Sequence, residues 1–448
     1  MNATATIAAL ATPPGFGGVA VVRVSGSAAS SIARSILGEV PRPRCATWRK
    51  FLDADGAPID HGLALYFPAP HSFTGEDVLE LHAHGAPVVV DMLLKRALAL
   101  GARLARPGEF SERAFLNGKL DLAQAEAIAD LINAGSEAAA RSAAASLVGE
   151  FSRRVRELVE ELLQLRMYVE AAIDFPEEEI DFLADSRVAA HLADLTARID
   201  ALLAGAKQGA LLQAGMTIVL AGAPNAGKSS LLNALTTEDT AIVSSIPGTT
   251  RDIVRARIDL DGLPVQVLDT AGLRTSPDAI EQEGVARARE AIARADRVLW
   301  VIDDSAHNGN DGALDEFIPP ALACTKIYNK IDITGRAPGL HTDTDGVAVA
   351  ISAKTGAGLR ELRAHLKESM NFQPAGEGGF IARRRHVDAI TRARAHIAEG
   401  ERALRQNRAG ELLAEELRRA QQALGEITGE VTSEDLLGRI FSSFCIGK

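Results

Sequence analysis

The stretch Gly222-Ala223-Pro224-Asn225-Ala226-Gly227-Lys228-Ser229, with Ser230 next in line, decides the fold. A glycine-rich turn ahead of a helix start aims backbone N–H groups at an anion. It also offers Lys228 to β/γ-phosphate oxygens and the Ser229 hydroxyl to Mg²⁺. Working outward, the loop follows the apolar run 217–221, Asp269-Thr270-Ala271-Gly272 closes the run 265–268, and Asn329-Lys330-Ile331-Asp332 closes 326–328. Ser352-Ala353-Lys354 follows the run 347–351 and suits a loop whose backbone packs on a base. Every motif falls at the end of a predicted strand, where doubly wound sheets hold their ligands. The Asp332 carboxylate can accept both the ring N–H and the exocyclic amine of guanine, a pair of donors that adenine lacks. The expected ligand is therefore GTP, held in a Ras-like P-loop domain over residues 216–372.

A chain of 448 residues with 47% hydrophobic content has room for two to four domains with full cores. The net charge of −11 assigns any nucleic-acid contact to a local patch or a partner. No apolar stretch of membrane-spanning length and no leader pattern is present, which argues for a cytoplasmic protein outside the membrane. Cys45, Cys324 and Cys445 are too few and too scattered for a disulfide framework or a zinc site.

The expected fold class is α/β plus α+β. Residues 1–118 mix short β-rich runs (18–24, 63–67, 78–82) with Pro and Gly turns and read as an α+β domain. From 121 to 207 the texture turns to Ala, Glu, Leu and Arg. Leu158, Leu162, Leu165 and Val169 there mark long amphipathic helices. Helical texture returns after the Pro/Gly-rich stretch 373–379. Residues 119–210 and 380–448 are thus expected to form one discontinuous helical domain into which the nucleotide module is inserted, because either flank alone would expose an apolar stripe.

Residues Ser244-Ser245-Ile246-Pro247-Gly248-Thr249-Thr250 lie where a first switch loop belongs, and the Thr250 hydroxyl is chosen to complete the Mg²⁺ shell. Many GTPases place a glutamine after Asp-x-x-Gly to orient the attacking water, but here Leu273 stands there. Glu281 or Glu283 can hold the water instead, or the segment is simply a solvated helix start. Arg251 and Arg274 sit in the switches and can serve as charge stabilisers. Alternatively, the Asn225 side-chain carbonyl and switch carbonyls can bind a monovalent cation beside the β/γ bridge.

GAPNAGKS, IPGTTRD, DTAGLR with Glu281 downstream, NKID, the string RPGEFSERAF at 106–115 and the ending FSSFCIGK together resemble the MnmE/TrmE family along essentially the whole chain. The resemblance implies a homodimer that modifies carbon 5 of the wobble uridine of certain tRNAs with a flavin-dependent, FAD-carrying MnmG-type partner. It further implies potassium-dependent GTP hydrolysis, with K⁺ on Asn225, Ser244, Ile246 and Thr249, Mg²⁺ on Ser229 and Thr250, and Glu281 orienting water. The N-terminal domain of the family binds a one-carbon tetrahydrofolate, 5-formyl or 5,10-methylene. By motif match its contacts fall on Arg23, Glu80, Lys119 and Lys448.

Cys445 can act as nucleophile or general acid/base on the uracil ring, or it is a small buried hydrophobe. His82 and His84 alternate onto one strand face and read as structural, since no third metal ligand accompanies them. Two other readings stay open. One is a GTPase switch in ribosome assembly of the Era type, and the other is a GTP-regulated, folate-dependent aminomethyltransferase.

Overall fold

In the computed structural model the described residues are 5–174, 186–237, 254–269, 292, 295–306, 319, 322–343, 346–372, 379–407, 409–431 and 433–447. Two compact units divide the chain. One takes Met1–Ala129, Leu147–Val188 and Ala395–Lys448, and the other takes Asp130–Ser146 and Ala189–Arg394. The helices are α1 (Ala29–Leu37), α2 (Pro87–Ala99), α3 (Glu109–Leu116), α4 (Leu122–Ile132), α5 (Glu137–Val148), α6 (Glu150–Asp174) and α7 (Ser186–Ala214). After them come α8 (Lys228–Thr237), α9 (Ile331–Thr334), α10 (Leu359–Ser369), α11 (Arg384–Asn407), α12 (Gly410–Thr428) and α13 (Glu434–Ser442).

In the first unit, strands β1 (Ile7–Leu10), β2 (Gly17–Ser25), β3 (Thr47–Leu52), β4 (Pro58–Phe67), β5 (Val78–Gly85) and β6 (Arg103–Leu104) form one sheet in the order β3-β4-β5-β2-β1-β6. Alternation along β2 buries Ala20, Val22 and Val24 and turns Val21 and Arg23 toward the other face. Helices α1 and α2 cover the buried face, with Ile32, Ile36, Val90 and Leu93 packed on Val22, Val24, Leu79 and Leu81. The runs 18–24, 63–67 and 78–82 are β2, β4 and β5. Strands β1, β3 and β6 show no clear alternation in the sequence.

At the start of α3 a carboxylate is surrounded by cations. Glu109 is 3% exposed and accepts from Arg103, from the Arg106 backbone N–H at 2.8 Å and from Arg113 at 3.0 Å. Burial alone would raise its pKa, but these donors outweigh burial and hold it at about 2. Gly108, at φ 66°, opens this helix where an added Cβ would lie 2.5 Å from the Phe441 carbonyl. The close approach lets Ile440, Phe441 and Phe444 of the C-terminal segment pack with Phe115 and Leu122. In α6, Val155, Leu158, Leu162, Leu165 and Val169 are buried at spacings of three and four, and α12, which buries Leu413, Leu417 and Leu424, packs against α6.

The second unit centres on strands β7 (Met216–Gly222), β8 (Val254–Leu260), β9 (Leu263–Asp269), β10 (Arg297–Asp303), β11 (Ala323–Asn329), β12 (Gly339–Asp343) and β13 (Gly346–Ala350). Their order is β12-β13-β11-β10-β7-β9-β8, parallel except at the two edges. The β8–β9 hairpin turns on Asp261-Gly262, at φ 49° and 97°, the positive pair that a tight two-residue turn requires. Both neighbours of β7 are parallel to it, one reached through β8 and the other across the sheet. Its C-terminal end is therefore the topological switch point.

Further contacts tie distant segments of the same unit together. Ser136 donates to the Gly262 carbonyl at 2.8 Å. The Asp130 carboxylate, 4% exposed, takes Arg383 Nη2 at 2.8 Å and Nε at 3.2 Å, a two-pronged pair across 253 residues of sequence.

Candidate functional site

The strand ends that the motifs occupy are level with one another. The register pairs Val301 with Gly222, Leu220 with Asp269, Asp303 with Asn329 and Tyr328 with Ala350, so the loops after β7, β9, β11 and β13 leave the sheet on one edge. The loop after β7 is shaped by three residues at positive φ: Gly222 (137°), Asn225 (63°) and Gly227 (96°). A Cβ at Gly222 would lie 2.2 Å from the Val301 carbonyl, and one at Gly227 would lie 2.2 Å from Asn329 Nδ2. Only glycine fits either place. Lys228, the first residue of α8, folds back across the loop and donates to the Gly222 and Ala223 carbonyls at 2.8 and 2.9 Å. Asn225, Ser229 and Ser230 are exposed around it, while Ala226 is buried beneath. A glycine-shaped turn at a helix start, with an ammonium folded back on it, suits an anion.

Asn329 joins three of the motifs. It is 2% exposed; its Nδ2 donates to the Ala226 carbonyl at 2.9 Å, and its Oδ1 accepts from the Ala353 N–H at 3.0 Å. Ser352 donates to Asp332 Oδ1 at 2.7 Å and accepts from the Thr355 N–H at 3.2 Å, which fixes the direction of the exposed Asp332 carboxylate. Asn329 and Asp332 border a cavity of about 760 Å³ whose walls also include Gly227, Ser230, Lys330, Ala353 and Lys354. Its size suits a nucleoside, and the Asp332 carboxylate is part of its lining. Sequence reasoning missed that Asn329 works as a strut, because its two partners lie 103 and 24 residues away.

The first unit holds a second cluster. Arg23 and Glu80 face each other in the β2–β5 register, with Nε 2.8 Å from Oε1. Arg23 also donates to the Gly447 carbonyl at 3.3 Å and lies 5.8 Å from the Phe73 ring and 5.7 Å from the Phe110 ring. The second Glu80 oxygen is 3.4 Å from His82 Nε2, and His84 pairs with Asp60 at 2.8 Å. Lys119 reaches the Pro70 carbonyl at 3.1 Å, on the loop that carries Phe73. Cys445 is exposed, and its carbonyl accepts from the Gly108 N–H at 3.3 Å. Arg23, Glu80 and the C-terminal segment therefore meet at one corner.

Residues 6–119 match a family model described as the GTP-binding protein TrmE N-terminus, and residues 122–445 match one described as the MnmE helical domain. Over 454 aligned residues, spanning 100% of both chains, the sequence is 57% identical to the tRNA modification GTPase MnmE of Yersinia pseudotuberculosis serotype IB (strain PB1/+). The chain belongs to the MnmE family. Among solved structures, an Era variant of Aquifex aeolicus bound to GDP.AlF4- is 26% identical over 40% of this chain and 66% of that one, with a TM-score of 0.28. The G domain of the T. maritima FeoB iron transporter is 25% identical over 34% and 97%, at 0.26.

Several expected MnmE-type site residues lie outside the described residues: Ser244 to Thr250, Thr270, Ala271, Gly272, Arg274, Glu281 and Lys448. Asp269 is described only as the last residue of β9. Among the described residues no group of three or more His, Cys, Asp or Glu side chains has the spacing of a metal cage, and no helix is long and apolar enough to cross a membrane.

Proposed function

We propose that this MnmE-family chain hydrolyses GTP in the service of tRNA modification. The observation that carries the proposal is the cavity in which Asp332, held by Ser352, stands opposite the loop gripped by Lys228. The Asp332 carboxylate takes the two donors of guanine, the Ser352-Ala353-Lys354 segment flanks the base, and the N–H groups ahead of α8 with Lys228 take the phosphates. Ser229 and Thr250 would hold Mg²⁺, which neutralises charge developing on the phosphates. Ser229 lies in the first turn of α8 and is exposed, so its hydroxyl suits that role.

Potassium would be held by Asn225 with carbonyls of Ser244, Ile246 and Thr249. Asn225 fits, because its left-handed backbone keeps the side chain exposed on the loop. Glu281 orients water, and Arg274 adds charge in the second switch. In the N-terminal domain, Arg23, Glu80, Lys119 and Lys448 would bind a tetrahydrofolate. A partly buried carboxylate beside a guanidinium matches a pterin, whose amino and ring N–H groups donate, and cations match its carboxylate tail. The bound folate supplies the one-carbon unit. Cys445, exposed beside that corner, acts on the uracil ring as nucleophile or general acid/base.

The wider reading is a cytoplasmic homodimer working with an MnmG-type flavoprotein at the wobble uridine, organised as domains 1–118, 119–210 with 380–448, and 216–372. Nucleoside mass spectrometry of tRNA from cells with and without the gene tests it. Loss of a modified wobble uridine is expected, and an unchanged nucleoside profile would leave only a GTPase switch.

A further inference from the structure

Two adjacent carboxylates at the end of β10 belong to none of the motifs above. Asp303 Oδ2 lies 2.6 Å from Lys330 Nζ, and its Oδ1 accepts from the Ser305 hydroxyl at 2.6 Å and the Ser305 N–H at 3.1 Å. Burial works to raise the Asp303 pKa, but the Lys330 and Ser305 hydrogen bonds outweigh it and keep the group below the ordinary range. Asp304, whose side chain is 4% exposed, accepts from Arg336 Nη2 at 2.6 Å and from the Thr334 hydroxyl. Arg336 in turn lies 4.3 Å from the Tyr328 ring centroid.

The two carboxylates therefore grip α9 at both ends, Lys330 at its N-cap and Thr334 at its last residue. Lys330 sits at φ 69°, a left-handed conformation that a lysine does not favour unaided, and its side chain borders the cavity. Between the two grips stands Asp332.

We propose that Asp303 and Asp304 are positioning residues for guanine recognition, holding Lys330 along the cavity wall and fixing α9 so that Asp332 faces the base. The proposal rests on reading the cavity as a guanine site. Neither carboxylate touches the base; Asp303 acts through Lys330, and Asp304 acts through the far end of α9.

The test is titration of the full chain with fluorescent GDP and, as competitor, ADP. Asp303→Ala is expected to weaken GDP binding about tenfold, the size of one charge-assisted hydrogen bond. Lys330→Ala is expected to weaken it likewise, and the double variant should be no weaker than Lys330→Ala alone within about twofold. Melting of the nucleotide-free chain should stay where it is, which a role confined to folding would not allow. If Asp303→Ala fails to fold, Asp303→Asn keeps the shape, removes the charge and carries the same cycle. Unchanged GDP affinity, or losses that multiply in the double variant, would overturn the proposal. A parent chain that binds ADP as well as GDP would instead remove the guanine reading beneath it.

Discussion

At the scale of single residues, each face of the nucleotide cavity is set by one side chain with a fixed partner. Ser352 aims the Asp332 carboxylate, so Asp332→Asn replaces one acceptor by a donor that meets the donors of guanine head-on. GTP affinity is expected to fall roughly a hundredfold or more and preference over ATP to shrink, as competition binding would measure. An affinity for GTP over ATP equal to the parent's would refute the base assignment. For Glu281→Ala the expected outcome is intact nucleotide binding with turnover slowed about 10²-fold or more, read from single-turnover hydrolysis. That Asp332, Lys228 and the loop gather along one edge of the sheet was legible in the sequence, because each motif ends an apolar run. The strut role of Asn329 was not, nor were the contacts of Asp303 and Asp304, because long-range packing decides which groups those side chains reach.

Among the elements, the loop between β7 and α8 has no tolerance for a side chain at its glycines. Gly227→Ala would put a methyl group 2.2 Å from Asn329 Nδ2, at a φ of 96° that alanine avoids. The strut must then leave the Ala226 carbonyl. Nucleotide binding is expected to drop below detection in calorimetry while far-ultraviolet circular dichroism stays near the parent spectrum; tight binding by the variant would contradict the geometry. The strands that feed this loop were readable as apolar runs ending in motifs. Helix positions were readable from three-and-four spacing, as in Leu158, Leu162 and Leu165, but the surface covering each stripe was not. Periodicity gives the apolar face of a helix and is silent on its partner. The Ser136 bond to the turn between β8 and β9 and the Asp130–Arg383 pair are contacts of this unreadable kind.

For the whole molecule, acid is the informative perturbation. Glu109 has its folded pKa lowered to about 2 from an ordinary 4.5, so its contribution is fully present above the unfolded value and is lost as pH falls through the folded one. With its side chain 3% exposed, the contribution at neutral pH is about 3 kcal/mol. Denaturant titrations should show stability falling between pH 4.5 and 2, and Glu109→Gln should flatten that part of the profile. A slope identical in the variant would take Glu109 out of the account. The α+β character of residues 1–118 was visible in short β-rich runs between Pro and Gly turns, but the reach of Arg23 was not, because it donates to a carbonyl 424 residues further on. Ribosomes add about 5–20 residues each second, so the strand bearing Arg23 emerges tens of seconds ahead of its late partner. During that interval Arg23 lacks its C-terminal acceptor, and a nascent chain halted before Gly447 leaves the tunnel presents the Arg23–Glu80 pair to a chaperone or protease without it.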